Sequence, residues 1–277
     1  MRATEEDLIT MGALVEELCG IVLDQTKGYL IEHRFAELVR AYDCSSFTEL
    51  AKRVRAASNP ELKSKLIDAI TTNETLFFRD GSPFEALAHK ALPELIDAKQ
   101  RSGNRRIRIW SAACSTGQEP YTIAMVLHDL LGDELDEFDI KILATDISED
   151  AIGKASRGVY SAFEIGRGLP QRQLAKYFEM VDGGHRVADE LRGLVSYQRL
   201  NLLESFTQLG KQDIVLCRNV AIYFQRAARN DLYRRIQQQM NPGGYLFVGS
   251  GETLTELGEG FEPHNHCNAV FYRPSGL

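Results

Sequence analysis

The sequence predicts an α/β protein: a mostly parallel sheet covered by helices on both faces, carrying a small β insertion and preceded by an all-α unit. Three observations lead there. From about residue 5 to 72, apolar residues recur at helical spacing with little β-branched alternation. From about residue 73 onward, short apolar runs bounded by loop signals alternate with helical patterns, as strand–helix–strand crossovers require. Between Phe178 and Asn201 the turn signal Asp182-Gly183-Gly184, flanked by short apolar segments, interrupts that rhythm. The expected division is an all-α unit over 1–72 and an α/β domain over 73–277, with 178–200 as a hairpin-like insertion.

Each element has its own signal. LITMGALVEELCGIVL (8–23) and GYLIEHRFAELVRAY (28–42) carry helical apolar spacing. SFTELAKRVRAA (46–57) begins behind Ser45 and Ser46, residues that accept from exposed helix N–H groups. PELKSKLIDAI (60–70) opens on Pro60, suited to a first helical position. The basic, glycine-containing KQRSGNRR (99–106) then releases IRIWSAA (107–113), a buried strand. Helix EPYTIAMVLHDLL (119–131), strand DIKILATDIS (139–148) and helix EDAIGKASRGVY (149–160) follow. Strand QDIVLCRN (212–219), helix RAARNDLYRRIQQQM (226–240), a Pro242-Gly243-Gly244 turn and the strands YLFVGS (245–250) and AVFYRP (269–274) complete the chain.

Composition removes several function classes. A net charge of −7 leaves no basic footprint for nucleic acid, and aromatics are not interleaved with basic residues. The five cysteines, Cys19, Cys44, Cys114, Cys217 and Cys267, are odd in number and form no C-x-x-C pair. A disulfide framework or zinc site is therefore not expected, and a reducing cytoplasm fits. The six histidines show no metal spacing, and His264 and His266 are read as a surface loop. The start of the chain reads as neither signal peptide nor membrane span.

In an open α/β sheet, ligands bind beyond the carboxyl ends of the strands, and the polar residues stand there. After IRIWSAA comes Cys114-Ser115-Thr116-Gly117-Gln118-Glu119, in which Gly117 would let backbone approach a ligand. One glycine is poorly suited to wrapping a pyrophosphate, so a nucleoside without phosphates fits better and a dinucleotide dehydrogenase is disfavoured. Asp146 ends the second strand, where a carboxylate can accept from ribose hydroxyls. Cys217-Arg218-Asn219 and Tyr223 follow a later strand. The plainer reading stays open beside this one: Gly117 a turn glycine, Asp146 a helix cap, Arg218 paired with an acidic neighbour, Phe77, Phe78 and Trp110 core, Tyr223 a packed tyrosine, and Cys114 and Cys217 small apolar fillers.

Six strings in order resemble CheR-type chemotaxis receptor glutamate methyltransferases: TTNETLFFR (71–79), WSAACSTGQEPYTIAM (110–125), ATDIS (144–148), LNLLE (200–204), LCRNVAIYF (216–224) and PGGYLFVGSGE (242–252). The resemblance covers nearly the whole chain. It implies a Rossmann-like, class I methyltransferase domain and transfer of a methyl group from S-adenosylmethionine to glutamate side chains of chemoreceptors, with S-adenosylhomocysteine as product. It places Asn73, Thr75 and Arg79 against the cofactor from the interdomain segment, Glu119 at its amino-acid end and Asp146 at its ribose. Asn201 and Leu202 would flank the adenine, and Cys217, Arg218 and Asn219 would line the cleft floor. Arg79 and Tyr223 would lie nearest the transferred methyl. No metal is implied.

The family also resembles this chain in presenting a basic helix to the acidic receptor, which points to Arg34 and Arg40, with Lys27 upstream, as substrate-binding residues. Here Glu32 and Glu37 interrupt the positive face, and a solvated amphipathic helix is the other reading. The insertion near Gly183 corresponds to the family's small β-subdomain, and its short loop points to an enzyme independent of the receptor's tail peptide. A cytoplasmic monomer acting on the cytoplasmic domain of membrane chemoreceptors is the resulting expectation. A non-catalytic module of the same fold, and a Rossmann-like methyltransferase with another substrate, are the alternatives. The presence of Arg79, Glu119, Asp146 and Tyr223 together disfavours the first.

Overall fold

The computed structural model describes residues 2–23, 28–56, 59–254 and 260–276. Four helices open the chain: α1 (Glu5–Cys19), α2 (Gly28–Ala41), α3 (Phe47–Arg55) and α4 (Pro60–Ile70). Their starts follow from local chemistry. Thr4 caps α1 by accepting from Asp7 N, while the Asp7 side chain accepts from Thr4 N, closing a capping box. Ser46 and Asn59 accept from the N–H groups of Glu49 and Leu62, with Pro60 in the first turn of α4. Met11, Leu14, Phe35, Phe47, Leu50 and Leu66 close a separate apolar core between these helices.

The second unit is a seven-stranded sheet. Its strands are β1 (Arg106–Ala112), β2 (Asp139–Asp146), β6 (Val195–Arg199), β7 (Gln212–Cys217), β8 (Met240–Val248), β9 (Phe261–His266) and β10 (Ala269–Pro274). The order is β6-β2-β1-β7-β8-β10-β9; the first five are parallel, and β10 runs antiparallel to β8 and β9. Side chains alternate strictly across it. Ile107, Ile109, Ile214, Leu216, Tyr245 and Phe247 enter one core; Trp110, Ala112, Val215, Cys217, Leu246 and Val248 enter the other. This two-faced burial is why the strands read as continuous apolar runs. The first face is covered by α5 (Ser82–Ala86), a π-helical turn at Leu87–Ala91, α6 (Leu92–Ser102) and α7 (Gln118–Leu131); the second by α12 (Arg226–Gln238). The fold is Rossmann-like.

Between β2 and β6 the chain forms α8 (Glu149–Arg157), β3 (Val159–Tyr160), α9 (Ala162–Ile165), α10 (Gln171–Tyr177), β4 (Phe178–Val181), β5 (Gly184–Val187) and α11 (Asp189–Arg192). A small antiparallel sheet, β3-β5-β4, is built here. The β4–β5 hairpin turns at Gly183, whose φ of 91° suits glycine.

Three expectations change. The insertion does not run as one β unit over 178–200: β6 pairs in parallel with β2 and ends the main sheet, and the small sheet takes in Val159–Tyr160, read from sequence as helix. Short, half-exposed strands carry the same alternation whichever sheet they join. His264 and His266 lie on β9 rather than in a loop, with the His264 ring stacked on Phe271 at 5.6 Å. The helical run from Ser82 to Ser102 was unread, because Pro83 and Pro93 punctuate it; Pro83 sits in a helical first turn, where the missing N–H costs nothing, and Pro93 directly follows the π-helical turn.

The two units are tied at the carboxyl end of the sheet. Asn201 Nδ2 donates to Leu18 O at 2.9 Å, Val22 N to Tyr223 O at 3.0 Å, and Ser64 Oγ to Glu149 Oε2 at 3.1 Å. Gly20, in the left-handed region at φ 75°, ends α1 against the Phe224 ring, which a Cβ there would meet at 3.0 Å.

Candidate active site

A cleft opens beyond the carboxyl ends of β1, β2, β6 and β7, closed on its far side by the segment joining the two units. That segment contributes Thr71, Thr72, Asn73, Glu74, Thr75 and Arg79. The turn after β1 contributes Ala113, Cys114, Ser115 and, from α7, Glu119. Asp146 and Ile147 come from the end of β2; Leu200, Asn201 and Leu202 from the end of β6. Arg218, Asn219, Val220, Tyr223 and Phe224 come from the turn after β7, and Cys19 and Ile21 from the end of α1.

Asp146 is almost wholly buried. Its Oδ2 accepts from Ser115 N at 2.8 Å and its Oδ1 from Ser148 N at 2.9 Å, so each oxygen keeps capacity for a second donor. Burial pushes its carboxyl above the usual range, with the nearby Asp68 charge adding to the effect against the backbone bonds. Beneath it, Trp110 Nε1 donates to Thr145 Oγ1 at 2.9 Å and fixes the strand.

Arg218 organises the opposite wall. Its side chain is 2% exposed, and it donates to Glu119 Oε2 at 2.8 Å, Asp80 Oδ2 at 2.8 Å and Arg79 O at 2.7 Å. Its guanidinium carbon lies 5.2 Å from the centroid of the Phe84 ring. Glu119 Oε1 accepts from Ser111 Oγ at 2.7 Å. Arg218 is thus a buried tie between the linker, α7 and β7, as its plainer reading held. Arg79 is half-buried; it donates to Glu74 O at 2.9 Å and forms no ion pair among the described residues. Tyr223 is 40% exposed at the mouth.

The donor set fits a nucleoside carrying a polar, cationic tail. Leu200, Leu202, Val220 and Phe224 offer an apolar wall for a base, Asp146 an acceptor pair for vicinal hydroxyls, and Glu119 a carboxylate for an ammonium. Among the described residues no lysine lines the cleft, and no glycine-rich turn is aimed into it to cradle phosphates. Among the described residues no cluster of His, Cys, Asp and Glu could hold a metal ion, and no helix is long and apolar enough to cross a membrane.

Asn73, Thr75, Arg79, Glu119, Asp146, Asn201, Leu202, Arg218, Asn219 and Tyr223 therefore share one cleft. Cys217 does not: it is the last residue of β7, and the two-residue alternation turns it into the core, where burial raises its thiol pKa well above the ordinary value. Gly117 does not face the cleft either. At φ 95°, its missing Cβ makes room for Ala155 and the Tyr160 hydroxyl. The Asn201 side chain is engaged at both ends, by Leu18 O and by Leu203 N.

Arg34 and Arg40 are separated. Six helical residues place them about 120° apart around α2. Arg34 is half-buried and donates to Ala69 O at 3.3 Å, whereas Arg40 is exposed and bonds Ala36 O. Lys27 lies outside the described residues. Arg34 lines a smaller cavity that shares Ile21, Thr72 and Tyr223 with the main cleft, so the two spaces adjoin at Tyr223. Sequence reasoning missed Cys19, Ile21 and Phe224 in the cleft, and Asp80 and Ser111 behind it. Long-range packing alone brings Cys19 and Ile21 there, whereas Phe224, Asp80 and Ser111 adjoin residues already singled out.

Residues 73–269 match the family profile described as CheR methyltransferase, SAM binding domain, and residues 6–71 match that described as CheR methyltransferase, all-alpha domain. The chain is 39% identical over 276 residues to chemotaxis protein methyltransferase 1 of Pseudomonas aeruginosa, covering 99% of each chain. It is 40% identical over 262 residues to chemotaxis protein methyltransferase Cher2 of Pseudomonas putida, covering 94% of each. It is 41% identical over 261 residues to chemotaxis protein methyltransferase 1 of Vibrio cholerae, covering 94% of this chain and 93% of that one.

Proposed function

The chain belongs to the CheR methyltransferase family of S-adenosylmethionine-dependent enzymes, and from that premise we propose that it esterifies glutamate side chains on the cytoplasmic domains of chemoreceptors. The observation that carries this reading is the adjoining of two spaces at Tyr223. One is a cleft with the donor set of a cationic nucleoside; the other lies beside α2 and has room for an acidic side chain arriving from outside. The names of the relatives support the chemotaxis substrate. We assign acceptor recognition to the helical unit of residues 1–72, and donor binding and transfer to residues 73–277.

Bound in the cleft, S-adenosylmethionine supplies an electrophilic methyl on a sulfonium sulfur. The acceptor needs no general base, because a glutamate of ordinary pKa, about 4.3, is ionised at neutral pH. The protein's work is alignment, for which orientation supplies about 7–11 kcal/mol in favourable cases. Asp146 takes the ribose hydroxyls and Glu119 the amino group, while Asn73 and Thr75 close over the donor from the linker. Asn201 and Leu202 flank the base, with Leu200, Val220 and Phe224 completing its apolar wall, and Asn219 lines the cleft floor. Arg218 acts from behind, holding Glu119 and the Arg79 carbonyl in place. Arg79, which carries no carboxylate of its own among the described residues, meets the acceptor carboxylate at the mouth and orients it beside Tyr223. Cysteine chemistry has no part: burial raises the pKa of both Cys114 and Cys217.

The test is incubation with donor labelled in the methyl group and a panel of receptor cytoplasmic fragments. Base-labile label recovered on glutamate is the expected result; base-stable label, or none on any fragment, refutes the proposal. Arg79→Ala is expected to lower turnover about 100-fold, the scale of a misaligned reactant. Normal turnover with intact donor binding would remove the role given to Arg79.

A further inference from the structure

The small sheet puts no residue into the cleft, yet it touches two of the segments that line it. Tyr160 of β3 is wholly buried, and its hydroxyl donates to Thr116 O at 2.8 Å. Thr116 follows Ser115, the cleft residue whose N–H holds Asp146. The Tyr160 ring also meets Phe77 edge-on at 5.0 Å, and Phe178 of β4 meets Phe77 at 5.5 Å. Phe77 stands in the linker between Thr75 and Arg79, both of which line the cleft.

These contacts leave no slack. A Cβ on Gly117 would stand 2.9 Å from the Tyr160 hydroxyl and 2.8 Å from the Ala155 methyl, so the turn after β1 is pressed against α8 and β3. A Cβ on Gly184 of β5 would run into the Tyr160 carbonyl, so the small sheet packs equally closely behind β3. A residue held tightly at its backbone by β5 and at its hydroxyl by the turn transmits its position rather than absorbing it.

We propose that Tyr160 is a positioning residue for the methyl-donor cleft, fixing the Ser115–Gly117 turn through its hydroxyl and the linker through its ring. The small sheet is then part of the donor site's scaffold. This rests on the reading of the cleft as the S-adenosylmethionine site. A rigid turn and linker spare the donor the ordering that a loose cleft would demand, and that saving appears as affinity.

Tyr160→Phe removes the hydroxyl and keeps every ring contact. S-adenosylhomocysteine affinity is expected to weaken about 3–10-fold, the range of one lost hydrogen bond. The KM for the donor should rise by a similar factor, while kcat at saturating donor changes less than about twofold and the ligand-free Tm moves by no more than about 4 °C. Met180→Ala, on the same sheet but 84% exposed, is expected to leave donor affinity unchanged. A Tyr160→Phe protein that binds S-adenosylhomocysteine as wild type does, whatever its Tm, overturns the proposal. So does an equal loss in Met180→Ala. If wild type itself ignores S-adenosylhomocysteine, the reading of the cleft fails first and takes this inference with it.

Discussion

Replacing Arg218 by methionine strips the cleft wall of its central cation while keeping an unbranched apolar stem. In the native protein the side chain is 2% exposed and meets two carboxylates, Glu119 at 12% and Asp80 at 27% exposure, together with the Arg79 carbonyl. Asp80 can turn to water once released; Glu119 cannot, and keeps only the Ser111 hydroxyl. Removing one partner of a buried pair costs about 3–5 kcal/mol, mostly from the stranded charge. Asp80's access to solvent points to the lower end of that range. Glu119→Gln keeps an oxygen for Arg218 but leaves it one carboxylate, Asp80, instead of two, and is expected to cost about 1–2 kcal/mol. In the double variant no charge is stranded, so its cost should fall short of the sum of the singles by at least about 1.5 kcal/mol. Urea unfolding followed by the fluorescence of Trp110, the sole tryptophan and a buried residue of β1, reads the sheet domain directly. A single Arg218→Met cost below about 1 kcal/mol, or strict additivity in the double variant, would show that the tie carries no net energy.

Two further outcomes follow from other charges. Glu252 Oε2 accepts from Asn219 N at 2.7 Å and Gly249 N at 2.6 Å, and burial lifts its carboxyl pKa against these backbone bonds. A folded pKa raised above the unfolded value means that stability from this group is fully present below about pH 4.3 and is lost as pH rises through the folded value. Glu252→Gln keeps one oxygen for both N–H groups and loses this dependence, so its stability relative to wild type should be more favourable at pH 8 than at pH 4; the same difference at both pH values would refute the argument. Arg40 is the exposed cation of α2, and if it steers an acidic receptor, Arg40→Glu should lower kcat/KM for a receptor fragment a few-fold in 50 mM salt and hardly at all in 500 mM. Equal loss at both salts would assign the effect to contact rather than steering.

What the sequence yields follows from the range over which each signal acts. β1, β2, β7 and β8 were legible because burial on both faces makes them continuous apolar runs, and Glu119, Asp146 and Arg218 because they stand just beyond such runs. The same logic failed at Cys217. It adjoins Arg218 in sequence, but the alternation of a strand sends neighbours to opposite sides, and the final residue of β7 belongs to the core. Residues joined only by tertiary packing left no local trace: Cys19 and Ile21 reach the cleft from α1, and Asn201 grips Leu18 across 183 positions. Arg34 and Arg40 were grouped because both are basic residues of one helix, but helical geometry parts them. β6 was assigned to the insertion because a five-residue, half-exposed strand does not disclose its partner.

The single glycine of the first cofactor turn was the reason to doubt a phosphate-binding loop, and the backbone explains how a tight cleft forms without more of them. Phe78, Asp80, Ala113, Ser115 and Asn219 all stand at positive φ, five of the eight described non-glycine residues that do, and all belong to segments that build the cleft. Each such conformation costs about 1–2 kcal/mol and persists only where its surroundings hold it. The holding groups are visible. Asp146 takes the N–H of Ser115, Glu252 takes that of Asn219, and Arg218 takes the carboxylate of Asp80. Each is a largely or wholly buried charged side chain anchoring one bent turn. Such a cleft is ordered before any ligand arrives, because its turns are held by side-chain charges where a phosphate-binding fold would use glycines. The holding residue stands 31, 33 and 138 positions from the bend it anchors, so no short motif announces such a turn in the sequence as a glycine-rich run would.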